Sequence, residues 1–223
     1  MFIKENFEQV RKEIEKGNNL GEEITLVGAT KTVDVESINQ AIACGLEVVA
    51  ENRVQEFTAK TAKIIGARQH FIGHLQTNKV KYLVGKVELI HSVDSISLAE
   101  CISNRATTLS LTQDILIEIN IGGELSKSGF DVENAISAFE NVKKLTNIRV
   151  KGFMAMLPKT DDNDLKVELC KKMRSIFDQV KKTDGEIEYL SIGMSSDYDI
   201  AIKNGSNMIR LGSTLFGKRD YQV

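Results

Sequence analysis

The sequence predicts an α/β protein: a single (β/α)8 barrel with an extra helix ahead of the first strand, running as one domain over residues 1–223. Short apolar and β-branched runs alternate with amphipathic stretches along the whole chain, the pattern of repeated βα units that lay down a parallel sheet. Eight such units fit into 223 residues, which favours closure into a barrel over an open doubly wound sheet. Pro158 is the one proline and no Gly/Ser-rich stretch interrupts the pattern, so no linker marks a second domain.

Residues 4–16 space Phe7, Val10 and Ile14 three and four apart, an amphipathic helix before the barrel. The first strand is expected at 24–30, a run buried on both faces. A helix carrying Val35, Ile38, Ile42 and Ala43 follows and stops at Gly45, a C-capping glycine. The second strand covers 46–51, and a helix starts at Asn52 and runs to about Gly66. Strand three covers 69–74, a short helix starts at Thr77, and strand four covers 87–93. A helix over 95–109 leads to strand five at 115–120. A polar loop over 122–129 precedes Asp131, an expected N-cap for a helix through Leu145. Strand six covers 148–156, the longest helix 162–182, strand seven 189–194, a helix 197–203, and strand eight 208–212, with a short turn through Phe216-Gly217 after it.

Composition narrows the function. Hydrophobic residues make up 42% and charged residues 27%, with a formal net charge of -2, which argues against nucleic-acid and anionic-membrane partners. No apolar run approaches the roughly 20 residues of a membrane span, and the N-terminus shows no signal-peptide pattern. Cys44, Cys101 and Cys170 have no paired spacing, so neither a disulfide framework nor a zinc site is expected. A cytoplasmic protein with reduced thiols is the expectation.

Barrels place chemistry at the carboxyl ends of their strands. There the sequence puts Lys31, a cation where a buried strand should stop. A partly desolvated amine at that point can attack a carbonyl; a solvated loop lysine is the plainer reading. After strand seven, Ser195 and Ser196 open a helix, and Gly212-Ser213-Thr214 follow strand eight. Hydroxyls and amides at such positions suit a phosphate, although a capping serine and a turn glycine explain them equally well. Lysine and anion site together suit a phosphorylated aldehyde: pyridoxal phosphate or a sugar phosphate. His70, His74 and His91 give no metal-ligand spacing and read as structural.

Seven blocks go further: Gly28-Ala29-Thr30-Lys31-Thr32, Glu51-Asn52-Arg53-Val54-Gln55-Glu56, the stretch from His70 to Lys79, Lys127-Ser128-Gly129-Phe130, Gly152-Phe153-Met154-Ala155-Met156, the stretch from Leu190 to Asp197, and the stretch from Ile209 to Arg219. In order and over nearly the whole chain, they resemble the pyridoxal phosphate homeostasis protein family, whose fold is similar to the barrel domain of alanine racemase. Ala50 departs from the family where a glycine often precedes Glu-Asn-Arg, and Ser213 stands where threonine is common, with the hydroxyl kept.

The resemblance implies pyridoxal 5'-phosphate held as an internal imine on Lys31, with Ser195, Ser196, Gly212 and Ser213 as phosphate cradle. It puts Asn52 near the ring and Arg210 under the pyridine nitrogen. Met154 either lines the ring face or is a core methionine. An arginine only donates hydrogen bonds, so the nitrogen facing it stays unprotonated and the ring is a poor electron sink. The expected protein is a monomeric carrier that buffers or delivers the cofactor, with apo forms of cofactor-dependent enzymes as partners and no robust catalysis. No catalytic residue and no metal are expected. A low-activity amino-acid racemase is the alternative; it needs a second acid/base, which alanine racemase takes from a β-domain expected to be missing here. A Schiff-base aldolase is a third reading. Lys79 and Lys127 are matched positions that either gate the site or sit in solvated loops.

Overall fold

The structure is a computed structural model that describes residues 2–124 and 127–217; Lys218 and Arg219, which close the last matched block, lie outside the described residues. Among the described residues nine strands form: β1 Thr25–Ala29, β2 Val48–Glu51, β3 Arg68–Phe71, β4 Leu89–Val93, β5 Gln113–Asn120, β6 Phe130–Asp131, β7 Ile148–Ala155, β8 Tyr189–Ser191 and β9 Met208–Leu211. Eight of them close a ring in the order β4-β3-β2-β1-β9-β8-β7-β5, with β5 pairing back onto β4. All pairings are parallel. The predicted barrel is therefore present, and α1 (Phe2–Ile14) is the extra leading helix.

Period-two alternation divides each strand between two cores. Val27, Val48, Ala50, Leu89, Leu116, Met154 and Met208 fill the barrel interior. Their strand neighbours face outward: Val49, Ile209 and Leu211 meet Phe7 of α1 and Ile38 of α2 (Val35–Ala43). On the far side, Phe71, Ile90, Ile117 and Phe153 meet Phe57 of α3 (Val54–Lys60), Leu98 of α4 (Ile96–Thr108), Phe139 of α5 (Ala135–Val142) and Phe177 of α6 (Asn163–Lys181). Closing elements are α7 (Tyr198–Lys203) and α8 (Ser213–Phe216).

Several expectations need correction. β3 ends at Phe71, short of 74, so His74 lies beyond the strand. Asp131 makes no cap bond; it lies in β6, whose residues pair with Ile119 and Asn120 of β5, and α5 starts four residues later after a 3-10 turn over Val132–Asn134. Asn52 is not helical: Arg53 is extended, and α3 starts at Val54 and gives way to a 3-10 turn at Thr61–Lys63. β8 ends at Ser191, short of 194, because Gly193 takes φ +106 and turns the chain toward α7. A Cβ there would lie 2.9 Å from the Tyr198 Cα, so the left-handed turn and the close helix both require glycine. The expected stop at Gly45 holds, with φ +112 just past the C-cap of α2.

Candidate functional site

Five neighbouring strands, in ring order β2, β1, β9, β8 and β7, bring the predicted residues to one arc of the barrel. Asn52 follows β2 and Lys31 follows β1; Arg210 lies on β9 with Gly212 and Ser213 just beyond it; Ser195 and Ser196 follow β8; Met154 is on β7. Residues more than 150 positions apart in sequence thus share one rim because β9 pairs with β1, Arg210 opposite Val27.

Val27 faces the interior, and Ala29 follows it by strand alternation while Thr30 turns out, its hydroxyl on Glu51 Oε1 at 2.7 Å and on the Ala50 carbonyl at 3.1 Å. β1 ends at Ala29, and half-buried Lys31 lies in the turn just beyond it. Asn52 is half-buried beside it. Its backbone is pressed against Gly73, where a Cβ would sit 1.9 Å from the Asn52 carbonyl oxygen.

Arg210 is buried inside the barrel wall, 5% exposed. One Nη donates to the Ser191 carbonyl at 2.8 Å and to its hydroxyl at 2.6 Å; the other donates to the Ala155 carbonyl at 3.1 Å. Burial pushes its pKa down to about 10 against the pull of Glu118 and Asp197, so it is still a cation at neutral pH. A guanidinium has five N–H groups, and the three bonds above are its hydrogen bonds among the described residues. The donors left over suit a ligand atom that only accepts, such as a pyridine nitrogen.

Beyond β8, the Ser195 hydroxyl accepts from the Gly212 and Thr214 amides, both at a long 3.3 Å. Neither serine caps α7, whose first flanking residue is Asp197. Ser196 instead donates to Asp197 Oδ2 at 3.0 Å, and Asp197 Oδ1 accepts from the Met194 amide at 2.7 Å. Amides and a hydroxyl gathered this loosely are a donor set that an anion can tighten. Amine, buried cation and anion cradle together fit the chemistry of a phosphorylated aromatic aldehyde.

The remaining expectations divide. Met154 is 1% exposed among the interior apolar residues, the packing of a core methionine. Lys79 lies on a 3-10 helix over Tyr82, 5.9 Å from the ring centroid, and Lys127 pairs with Glu124. His74 is exposed and meets Ser128 and Asp94 at 3.2 Å each. His70 and His91 are buried and bonded to each other. Among the described residues, no cluster of His, Cys, Asp or Glu is arranged to hold a metal. A cavity of about 550 Å³ lies at the opposite mouth, between α1 and the amino ends of β1 and β2, and holds none of the predicted site residues.

Sequence reasoning missed Glu118, buried on β5 in register with Met154. Burial, and next the charge of Asp94, push its pKa up to about 7. A carboxylate between Ile117 and Ile119 in a strand buried on both faces was the available signal.

Residues 3–220 match the alanine racemase N-terminal domain. A pyridoxal phosphate homeostasis protein from Aquifex aeolicus is 42% identical over 96% of this chain and 95% of its own. The chain belongs to the pyridoxal phosphate homeostasis family. The Escherichia coli K12 member is 32% identical over 98% of this chain and 97% of its own. PipY of Synechococcus elongatus, a 27% identical solved structure covering 96% of this chain and all of its own, superposes with a TM-score of 0.84 when pyridoxal phosphate is bound and 0.88 without it. Alanine racemase of Clostridium difficile, 16% identical with a TM-score of 0.78, shares the fold over 99% of this chain and 58% of its own. In this family member, no helix among the described residues is long and apolar enough to cross a membrane.

Proposed function

We propose that this chain binds pyridoxal 5'-phosphate at the β2-β1-β9-β8 rim and buffers or delivers it to apo-enzymes, as a cytoplasmic monomer without robust turnover. The observation that carries the reading is the arc itself: Lys31, the uncommitted donors of Arg210, and the Ser195–Gly212–Thr214 cradle lie on adjoining strands. The bound form of PipY supports it. When bound, the cofactor supplies an aldehyde; the Lys31 amine condenses with it, forming one C=N bond and releasing one water. The protein's own groups do the rest. Arg210 donates to the ring nitrogen, Ser195, Ser196, Gly212 and Ser213 hold the phosphate, and Asn52 flanks the ring. A guanidinium donates hydrogen bonds and accepts none, so the ring nitrogen facing it stays unprotonated and carbanion chemistry gains little there.

The test is the absorption spectrum with pyridoxal phosphate before and after borohydride, compared with Lys31→Ala. A near-visible band that borohydride fixes on the Lys31 peptide, absent in the variant, is the expected result. No band, or a band kept by the variant, overturns the assignment.

Glu118 favours a second reading, a weak amino-acid racemase. A buried carboxyl that titrates near neutrality is suited to proton transfer. Entry of solvent deuterium at Cα of amino acids would establish it, and entry at ordinary enzyme rates would end the carrier reading.

A further inference from the structure

Lys60, on α3, lies outside the barrel wall, yet it ties down the backbone on both sides of Lys31. Its Nζ donates to Glu51 Oε1 at 2.8 Å, to Glu56 Oε2 at 2.8 Å and to the Thr30 carbonyl at 3.0 Å. An ammonium has three N–H groups, so all are spent. Glu51 is 3% exposed and also accepts from the Thr30 hydroxyl. Glu56 also accepts the Thr32 amide at 2.8 Å. The residue before Lys31 and the residue after it are therefore bonded to one ion cluster, anchored on buried Glu51.

The backbone at Thr32 shows what the cluster does. Its φ is +62, in the left-handed region that a β-branched side chain avoids. That conformation needs support, and the bond from its amide to Glu56 supplies it. With Thr30 held outward and Thr32 held left-handed, the backbone on both sides of Lys31 is fixed.

We propose that Lys60, through Glu51 and Glu56, is a positioning residue that aims the Lys31 amine for bond formation with the cofactor aldehyde. This rests on the reading of Lys31 given above. Glu51 and Lys60 face the helical layer, so they act on the amine's direction and leave the anion cradle alone.

The test compares two ligands on the full-length protein: pyridoxal 5'-phosphate, which has the aldehyde, and pyridoxine 5'-phosphate, which has an alcohol in its place and cannot form the bond. Lys60→Gln is expected to slow growth of the borohydride-reducible band at least tenfold while pyridoxine 5'-phosphate affinity changes less than twofold. Adding Thr32→Gly, which adopts the left-handed conformation freely, is expected to bring the rate back within threefold of the wild type. If Lys60→Gln does not fold, Glu56→Gln serves in its place: it keeps the Lys60–Glu51 pair and is expected to slow the band three- to fivefold, again with rescue by Thr32→Gly. A rate within twofold of the wild type overturns the proposal, and so does equal weakening of both ligands or failure of the glycine rescue. Wild-type protein that gives no reducible band on Lys31 overturns the functional reading and this proposal with it; a wild-type band with unaffected variants overturns this proposal alone.

Discussion

His70 and His91 face each other inside the barrel, Nδ1 to Nε2, 3.0 Å apart. The pair continues toward the candidate site, with His91 Nδ1 at 3.4 Å from the Ser191 hydroxyl that Arg210 holds. Arginine only donates, so Ser191 accepts from it and turns its own proton toward His91. Each histidine is then neutral with its proton on Nε2. Burial pushes both pKa values down, and the Arg210 charge adds to this at His91. A depressed pKa means that the unfolded chain takes up protons first, so stability present above pH 6.5 is lost as pH falls below it. Each histidine can contribute at most about 1.4 kcal/mol per pH unit below pH 6.5, and His70 contributes less because Glu88 opposes its shift. Urea unfolding at pH 7.5 and 5.5 is expected to show the loss, and a His70→Leu/His91→Leu double variant is expected to flatten it. Equal pH dependence in the two proteins would refute the assignment.

Glu118 works in the opposite direction. Its folded pKa of about 7 lies above the ordinary 4.5, so its contribution is fully present below pH 4.5 and is lost as pH rises through 7. The loss amounts to about 3 kcal/mol at high pH. Glu118→Gln cannot ionise and is expected to raise the melting temperature at pH 8 while changing it little at pH 5. A uniform shift at both values would mean that packing, not ionisation, sets the effect.

The two serines after β8 are expected to differ. Ser195 gathers the Gly212 and Thr214 amides, whereas Ser196 is exposed and donates to Asp197. Ser195→Ala is expected to weaken pyridoxal phosphate about tenfold, on the scale of one lost hydrogen bond to a charged group, and Ser196→Ala less than threefold. Titration in competition with inorganic phosphate measures both, and equal losses would contradict the geometry.

Much of this fold was legible because it is written in local periodicity. Runs such as Ile115 to Ile119 are mostly apolar and too short for a helix, which reads as buried strand, and eight such runs in one chain leave few architectures. Lys31, Ser195 and Gly212 were legible as strand ends. What stayed hidden depends on partners distant in sequence. Asp131 reads as a cap until β6 pairs with β5. Met154 reads as core or site until the interior is assembled. Lys60 is one more charged helix residue until β1 lies beside β2 and places Thr30 and Glu51 beneath it. The His70–His91–Ser191–Arg210 chain joins four strands, and no spacing along the sequence announces it.

Gly73 gives a last prediction, about how the rim holds Asn52. The chain leaving β3 passes so close to the Asn52 backbone that an added Cβ would lie 1.9 Å from its carbonyl oxygen and 2.6 Å from its carbonyl carbon. Neither is the end of a flexible side chain, so the backbone after β2 must move. Ser92 fixes the other side, its hydroxyl donating to the Gly73 carbonyl at 2.5 Å, which leaves Asn52 as the part that gives way. Gly73→Ala is expected to cost about 3 kcal/mol of stability, the upper range for overpacking. Because Asn52 and Lys31 lie at the ends of paired strands, it is also expected to weaken pyridoxal phosphate binding about tenfold under conditions where the variant is fully folded. Urea unfolding and a binding titration on the same sample separate the two effects; a destabilised variant with unchanged affinity would mean that Asn52 does not contact the ligand.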